Sequence, residues 1–398
     1  MLLGIGDQGP IAGRRVAITG IGVVSCCGVG PQALWAGLNG PPPEGERRVP
    51  DFDPERWFGP KEVRQIDRFA QFAVAASEMA REDAGDLGVD PDRAGVIMGT
   101  GVGGFESLQN QVLVYAEKGA RRVSPRLVPM MMSNAGAANV SMRAGWHGPS
   151  ESIVTACAAG THSIGYAARL VASGRLDVAI GGGTEAAMTE VGIAAFANMT
   201  ALSTTGISRP FDARRDGFVI TEGAGALVLE AWDHAMARGA HIYGELAGAA
   251  STADAHHITA PVPGGVGAVT CMVMAMEDAD VSLSDIGHIN AHGTSTPLND
   301  QAEAEAITKV FGAEALPVTS TKGITGHGLG AAGAIEAVAA VLSIDHRLIP
   351  PTSGYEQPDP DIHLDIVAGE ARPWEPGAVL SNSFGFGGHN GCLVISPP

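Results

Sequence analysis

The chain has 398 residues, 45 % hydrophobic and 17 % charged, which is enough for a large core and for two domains or one two-part body, and which excludes a disordered protein. Its formal net charge of −18, with no dense basic stripe, argues against a nucleic-acid binder. The 55 glycines and the 5 % aromatic content suit tight turns and close backbone approaches better than aromatic stacking platforms.

The opening MLLGIGDQGPIAGRR has no basic segment ahead of a long apolar stretch and does not read as a signal peptide. No uninterrupted apolar run reaches about 18 residues. Even AAGAIEAVAAVLSI (331–344) carries Glu336, so a soluble protein is expected. Five cysteines, at 26, 27, 157, 271 and 392, form no C-x-x-C pair and no zinc spacing. Their odd number fits a reducing cytoplasm.

Short β-branched runs bounded by glycine predict strands at 15–24, 94–101, 177–183, 225–230, 286–293, 378–383 and 392–396. Between them, Ala-rich segments predict helices at 68–84, 160–173, 265–279, 300–311 and 331–343. Alternating strand and helix predicts a layered α/β protein. The Pro-rich NGPPPEGERRVPDFDP (39–54) reads as a surface excursion. Two stretches, 153–174 and 318–344, share one order: strand, Ser/Thr, glycine-rich turn, small-residue helix. They read as one unit duplicated, with both helices buried and the two turns facing each other. Cys157 stands at one turn and His327 at the other.

Four segments carry side chains suited to chemistry. In TACAAGTHSIG (155–165), Thr155 and Ala156 are expected to end a strand and Ala158 to begin a helix. Cys157 there is either a small core residue or a nucleophile whose thiol pKa the helix end lowers from ~8.5 toward 7 or below. In NAHGTSTPLND (290–300), His292 follows a strand. It is either structural or catalytic, and Thr294 and Thr296 could hydrogen-bond a polar ligand arm. In TSTKGITGHGLGAAGAIE (319–336), Lys322 and His327 lie five apart. If buried, Lys322 needs a carboxylate partner, and Asp300, Glu303 and Glu336 are candidates. In SNSFGFGGHNG (381–391), phenylalanines alternate with glycines. This is either a plugged turn or an aromatic gate with a backbone N–H free for an oxyanion.

Taken together, in this order, these segments resemble the β-ketoacyl-[acyl-carrier-protein] synthase family, the elongating Cys-His-His condensing enzymes. The resemblance runs from Arg15 to Ser396 and includes RPFDARRDGFVITEGAGALVLE (209–230) and ADAHHITAPVPGG (253–265). It implies a thiolase-like five-layered α-β-α-β-α fold of two duplicated halves, here 1–251 with the nucleophilic cysteine and 252–398 with both histidines and the lysine. It implies Cys157 as the acylated nucleophile, and His292 and His327 as holders of the extender's thioester carbonyl. Lys322 would organise the site electrostatically. The N–H groups of Cys157 and Phe386 would form an oxyanion hole, with Phe386 as gate. Thr294 and Thr296 would bind the phosphopantetheine arm, with Thr259 on a second loop, and Val102, Phe196 and Phe384 would wall the acyl pocket.

The implied activity is decarboxylative condensation of an acyl group with malonyl-[acyl-carrier-protein] in fatty acid elongation. A ketosynthase of a specialised polyketide or polyene pathway is the alternative. A thiolase would need a second cysteine in the TGHGLG turn or at FGGHN, where there is none. A chain-length-determining partner subunit would typically lack the nucleophile. Substrates would ride on the phosphopantetheine of an acyl carrier protein, and nothing in the sequence calls for an organic cofactor or a metal. Homodimers are typical of the family, and a heterodimer stays open. Against an acidic carrier, Lys61, Arg64 and Arg68, with Arg121, Arg122 and Arg126, could make a local basic docking patch or simply be solvated charge. Thr200 stands where the family often has arginine, and the loop 204–210 is short.

Overall fold

The computed structural model describes residues 13–43 and 47–398. The reading of the first twelve residues as lacking a signal peptide therefore lies outside the described residues, as does the middle of the Pro-rich excursion. On either side of that gap the excursion is mostly exposed, but Arg47 and Val49 turn inward and are buried.

Among the described residues, ten strands build two sheets of the same design, with the short strands Gly28–Val29 and Asp365–Ile366 added at their margins. The first holds β1 (Val16–Ser25), β2 (Ala94–Gly99), β3 (Ser150–Glu151), β4 (Val178–Glu185) and β5 (Gly223–Ala231). The second holds β6 (Gly244–Ala253), β7 (Ile286–Asn290), β8 (Pro317–Thr319), β9 (Ala378–Gly385) and β10 (His389–Ser396). Spatial order is β3-β2-β4-β5-β1 in one and β8-β7-β9-β10-β6 in the other. In each half the first three strands of that order pair in parallel and the remaining pairs are antiparallel. This shared topology is the duplication expected from the two similar stretches. Among the described residues, the sheets join where Ala17 and Ile18 of β1 pair with Glu245 and Gly244 of β6. The division expected after residue 251 falls inside β6.

Eight helices give the layers. They are α1 (Arg68–Ala84), α2 (Phe105–Lys118), α3 (Ala135–Ala144), α4 (Ala159–Ala172), α5 (Glu190–Asn198), α6 (Val266–Asp278), α7 (Pro297–Phe311) and α8 (Ala332–His346). The middle layer is α4 and α8, which touch both sheets. Along α8 every residue from Ala332 to Ile344 is buried, so its apolar length is core rather than a membrane span. On one outer face α1 and α3 cover the first sheet, and on the other α6 and α7 cover the second. Asp67 caps α1 by accepting from the Phe69 N–H, and Thr296 caps α7, whose first residue is Pro297.

Glycine lets α4 and α8 approach. A Cβ on Gly160 would lie 2.9 Å from the Ala334 nitrogen, and one on Gly333 would lie 2.0 Å from Thr161 Oγ1. These contacts close the seam between the halves.

Three features depart from the sequence reading. β6, GELAGAASTA, has too few β-branched residues to announce itself and is held as a strand by pairing on both sides. Helix α2 escapes a burial pattern because none of its residues is buried. Thr155 and Ala156 do not end a strand. β3 stops at Glu151, Ala156 takes a left-handed φ of 49°, and a 3₁₀ turn over Ala156–Ala158 leads into α4.

Replacing Gly160 by valine is expected to destabilise the fold by about 1–3 kcal/mol through overpacking of the helix crossing. Urea unfolding reads this, and an unchanged midpoint would mean that α4 and α8 do not touch there.

Candidate active site

Cys157 lies in the middle of the 3₁₀ turn and is buried, one turn ahead of α4. The backbone of β9 presses on this elbow, since a Cβ on Gly385 would meet Thr155 O at 2.9 Å. The backbone N–H groups of Phe386 and of Cys157 itself favour negative charge on this sulfur.

The opposite half supplies two imidazoles. His292 follows β7, and its N–H and that of Gly293 donate to the two oxygens of Glu303 at 2.8 and 2.7 Å. His327 is held by its N–H to Val219 O at 2.7 Å, and the ring of Phe218 packs edge-on at 5.2 Å. Its Nε2 stands 3.0 Å from Cys157 Sγ. The two histidine rings lie 5.3 Å apart, centre to centre. Sulfur and both rings place their donor atoms within 4.8 Å of one another.

Lys322 is buried behind the rings, paired with the Glu336 carboxylate and 3.4 Å from His292 Nδ1. An ammonium can only donate, so Nδ1 accepts and the His292 proton sits on Nε2. Burial, reinforced by the Lys322 charge, holds both imidazoles well below the ordinary histidine range. Both are neutral at pH 7.

The thiol goes the other way from expectation. Burial pushes Cys157 up to about 11, although the Phe386 N–H and Lys322 oppose the rise. Desolvation outweighs the turn's N–H groups, so the resting group is a thiol with a neutral imidazole as its nearest base. Burial likewise pushes the Glu303 and Glu336 carboxyls up to about 7. The three donors of Cys157, His292 and His327 are a possible metal-ligand set. A cation there would have to expel the thiol proton beside the Lys322 ammonium, so the set suits proton and oxygen chemistry better.

The cavity in front of these groups measures about 400 Å³. Thr294, Thr296 and Thr259 line it, as do Phe196, Phe384 and Phe386. Thr294 and Thr296 share a hydroxyl hydrogen bond of 2.9 Å. Thr200, in a left-handed conformation with φ 55°, also lines it.

Several expected roles need correction. Val102 is 45 % exposed and is not among the described lining residues, because it stands on the turn after β2, outside the cavity. Of the three carboxylates offered to Lys322, only Glu336 pairs with it. Glu303 is spent on backbone N–H groups, and Asp300 accepts from the N–H groups of Phe211 and Ser295 and from Asn299. Arg68 is unavailable for docking, since it binds buried Glu222 through two hydrogen bonds and lies over the Phe72 ring. Lys61, Arg64, Arg121, Arg122 and Arg126 are exposed.

The sequence reading missed three supports. Buried Glu185, at the end of β4, accepts from Gly101 N–H of one half and Gly330 N–H of the other. His162 bridges Thr155 Oγ1, at 2.8 Å, and Asn390 O, at 3.0 Å. Asn390 in turn donates to Asp254 on the cavity wall. A charged residue in an otherwise apolar strand was the available signal for Glu185. The His162 bridge has no sequence signal, because its partners come from distant segments.

Alkylation of Cys157 by iodoacetamide is expected to climb with an apparent pKa of about 11. A plateau near the ordinary thiol value of about 8.5 would contradict the burial argument. Lys322→Ala should slow alkylation at fixed pH, by removing a charge that favours the thiolate, and should cost about 3–5 kcal/mol by stranding Glu336. Pairing Lys322→Met with Glu336→Gln should restore thermal stability without restoring the alkylation rate. Recovery of both would assign Lys322 a packing role alone.

The comparisons with known proteins agree along the chain. A model described as Beta-ketoacyl synthase, N-terminal domain, matches residues 13–235, and one described as Beta-ketoacyl synthase, C-terminal domain, matches residues 243–356. A 3-oxoacyl-[acyl-carrier-protein] synthase 2 from Synechocystis is 45 % identical, over 96 % of this chain and 98 % of the relative. Proteins of the same name from Staphylococcus aureus and Rhizobium meliloti are 44 % and 42 % identical over the same shares. Among solved structures, the ishigamide ketosynthase/chain length factor superposes with a TM-score of 0.91 at 34 % identity, covering 97 % of this chain and 100 % of that one. A type II polyketide acyl-carrier protein in complex with its ketosynthase bound to the hexaketide gives 0.89 at 33 %, with the same coverage. The five-layered architecture is therefore the thiolase-like fold, and the chain belongs to the beta-ketoacyl synthase family.

Proposed function

We propose that this chain is a 3-oxoacyl-[acyl-carrier-protein] synthase that elongates fatty acyl chains. The observation that carries the reading is the meeting of one sulfur and two neutral imidazoles, drawn from opposite halves, on a single cavity. Relatives at 42–45 % identity bear that name, while the polyketide ketosynthases stand at 33–34 %, which favours fatty acid elongation over a specialised pathway.

The reaction proceeds in two stages. In the first, Cys157 sulfur attacks the acyl thioester carbonyl, and its proton ends on the departing pantetheine thiolate. The Cys157 and Phe386 N–H groups hold the tetrahedral oxyanion. In the second, malonyl thioester loses CO₂, and the electron pair of the broken carbon–carbon bond forms an enolate. N–H donors of His292 and His327 hold the enolate oxygen, so no strong base is needed. The α-carbon then attacks the acyl group on Cys157 and expels the sulfur. Phe386 and Phe384, at the cavity wall, keep water from the acyl-enzyme. Thr294, Thr296 and Thr259 bind the phosphopantetheine arm, and Phe196 borders the acyl chain. No cofactor takes part beyond the carrier's own arm.

The partner is an acyl carrier protein, as in the structural neighbour that holds one. Arg121 and Arg122, with Lys61 and Arg64, form the docking patch on an otherwise acidic body. Val112, Leu113, Tyr115, Val128 and Val154 are exposed apolar side chains, and the short strand β3 ends its sheet unpaired on one side, which together support a homodimer. A heterodimer is the other outcome of a sedimentation test. Five free cysteines support a cytoplasmic location.

Intact-mass analysis after mixing with acyl-carrier substrates of several lengths should show one acyl adduct, lost in Cys157→Ala. An adduct that survives this substitution refutes the assignment. Reversing both arginines (Arg121→Glu with Arg122→Glu) should raise KM for carrier-bound substrate while sparing Cys157 alkylation. An unchanged KM would remove both from docking.

A further inference from the structure

Cys26 and Cys27 have no part in the reaction above, yet they stand directly behind the segment that carries Lys322 and His327. They are the two central residues of a tight hairpin in which Ser25 pairs with Gly28, and Val24 with Val29. The two thiols are neighbours along the chain and influence each other's protonation, Cys26 being raised and Cys27 lowered by the pair. Cys26 is 7 % exposed, and its Sγ lies 3.6 and 3.4 Å from the carbonyl oxygens of Ile324 and Thr325. Those carbonyls end the short helix Lys322–Thr325, two residues before His327. Cys27 is only partly buried and is the member of the pair that solvent can reach.

A cation completes the arrangement. Arg47 is 3 % exposed, donates from Nη1 to Ile324 O at 3.0 Å, and leaves its buried Nε without a hydrogen-bond partner. Its charge favours the thiolate of both cysteines, and a Cβ on Gly326 would lie 3.4 Å from its Cγ. Hairpin tip and guanidinium together form the back wall of the Lys322–His327 segment.

We infer that Cys26 and Cys27 are a modification site for hydroperoxides, closing to a vicinal disulfide that disturbs the Lys322–His327 segment. The Cys27 thiolate attacks the outer oxygen of the peroxide, forming a sulfur–oxygen bond and breaking the oxygen–oxygen bond. The released alkoxide or hydroxide takes up a proton. The Cys26 sulfur then attacks the resulting sulfenic acid. The sulfur–sulfur bond forms, the sulfur–oxygen bond breaks, and water leaves with the Cys26 proton. Two thiols lose two electrons and the peroxide gains them. Cys27 is within reach of solvent and has the Arg47 charge favouring its thiolate, whereas Cys157 is buried, so oxidation selects the hairpin over the reaction centre. Ring closure pulls Cys26 Sγ off the two carbonyls.

The thiol chemistry stands by itself, while its effect on rate rests on the proposed condensation. The test treats the whole protein with hydrogen peroxide, alkylates the remaining thiols, and weighs the tryptic peptide of residues 16–47, whose only cysteines are this pair. The peptide should lose two hydrogens and accept no alkyl group, and dithiothreitol should reverse both changes. Condensation should fall by more than half and recover with the reductant. In Cys27→Ser the rate should persist at the same peroxide dose. In Cys26→Ser, Cys27 should stop at a sulfenic acid that dimedone traps. The inference is overturned if the Cys157 peptide oxidises first, or if the disulfide forms and the rate does not change. If the reduced protein shows no condensation at all, the proposed function fails, and the peptide masses still decide the modification.

Discussion

The geometry depends on one close crossing. Helices α4 and α8 approach at Gly160 and Gly333 until a single added carbon on either would strike the other chain segment. Cys157 sits just ahead of α4, and His327 lies five residues ahead of α8, so the distance between the helices sets the distance between sulfur and nitrogen. Glu185 reinforces the seam by accepting N–H groups from both halves. A duplicated fold thus places the same strand-turn-helix unit twice, face to face, and loads the two turns with different side chains.

Electrostatics then decides what those side chains can do. A single buried ammonium, Lys322, has one carboxylate partner and one imidazole partner. It fixes the His292 tautomer, adds to the burial that keeps both histidines neutral, and draws the thiol down from where burial alone would leave it. Neutral imidazoles can donate to a growing negative charge without first losing a proton to solvent. A protonated thiol beside a weak base is slow until substrate arrives, which limits side reactions at a buried nucleophile.

Much of this was legible in the sequence, for a local reason. Cys157, His292, Lys322 and His327 each stand in a small-residue turn near the end of a strand or the start of a helix, and such turns are read from a few neighbours. The two similar stretches gave away the duplication for the same reason. What escaped depends on partners far along the chain. Arg68 looks free until it meets Glu222, 154 residues away. Glu336 and Asp300 were equal candidates for Lys322 until the fold separated them. The helix-end argument for the thiol used local N–H groups and had no access to burial, which is the larger effect. β6 was hidden because its strand character comes from pairing on both edges rather than from its Ala- and Gly-rich residues.

The central claim is a division of labour in which the imidazoles generate the carbon nucleophile and the sulfur only holds the acyl group. Release of CO₂ from malonyl-carrier in the absence of any acyl donor tests this directly. Cys157→Ala should still release CO₂, and His292→Ala, with its fold verified, should not. If loss of the sulfur stops decarboxylation while loss of the His292 ring leaves it intact, the account is wrong.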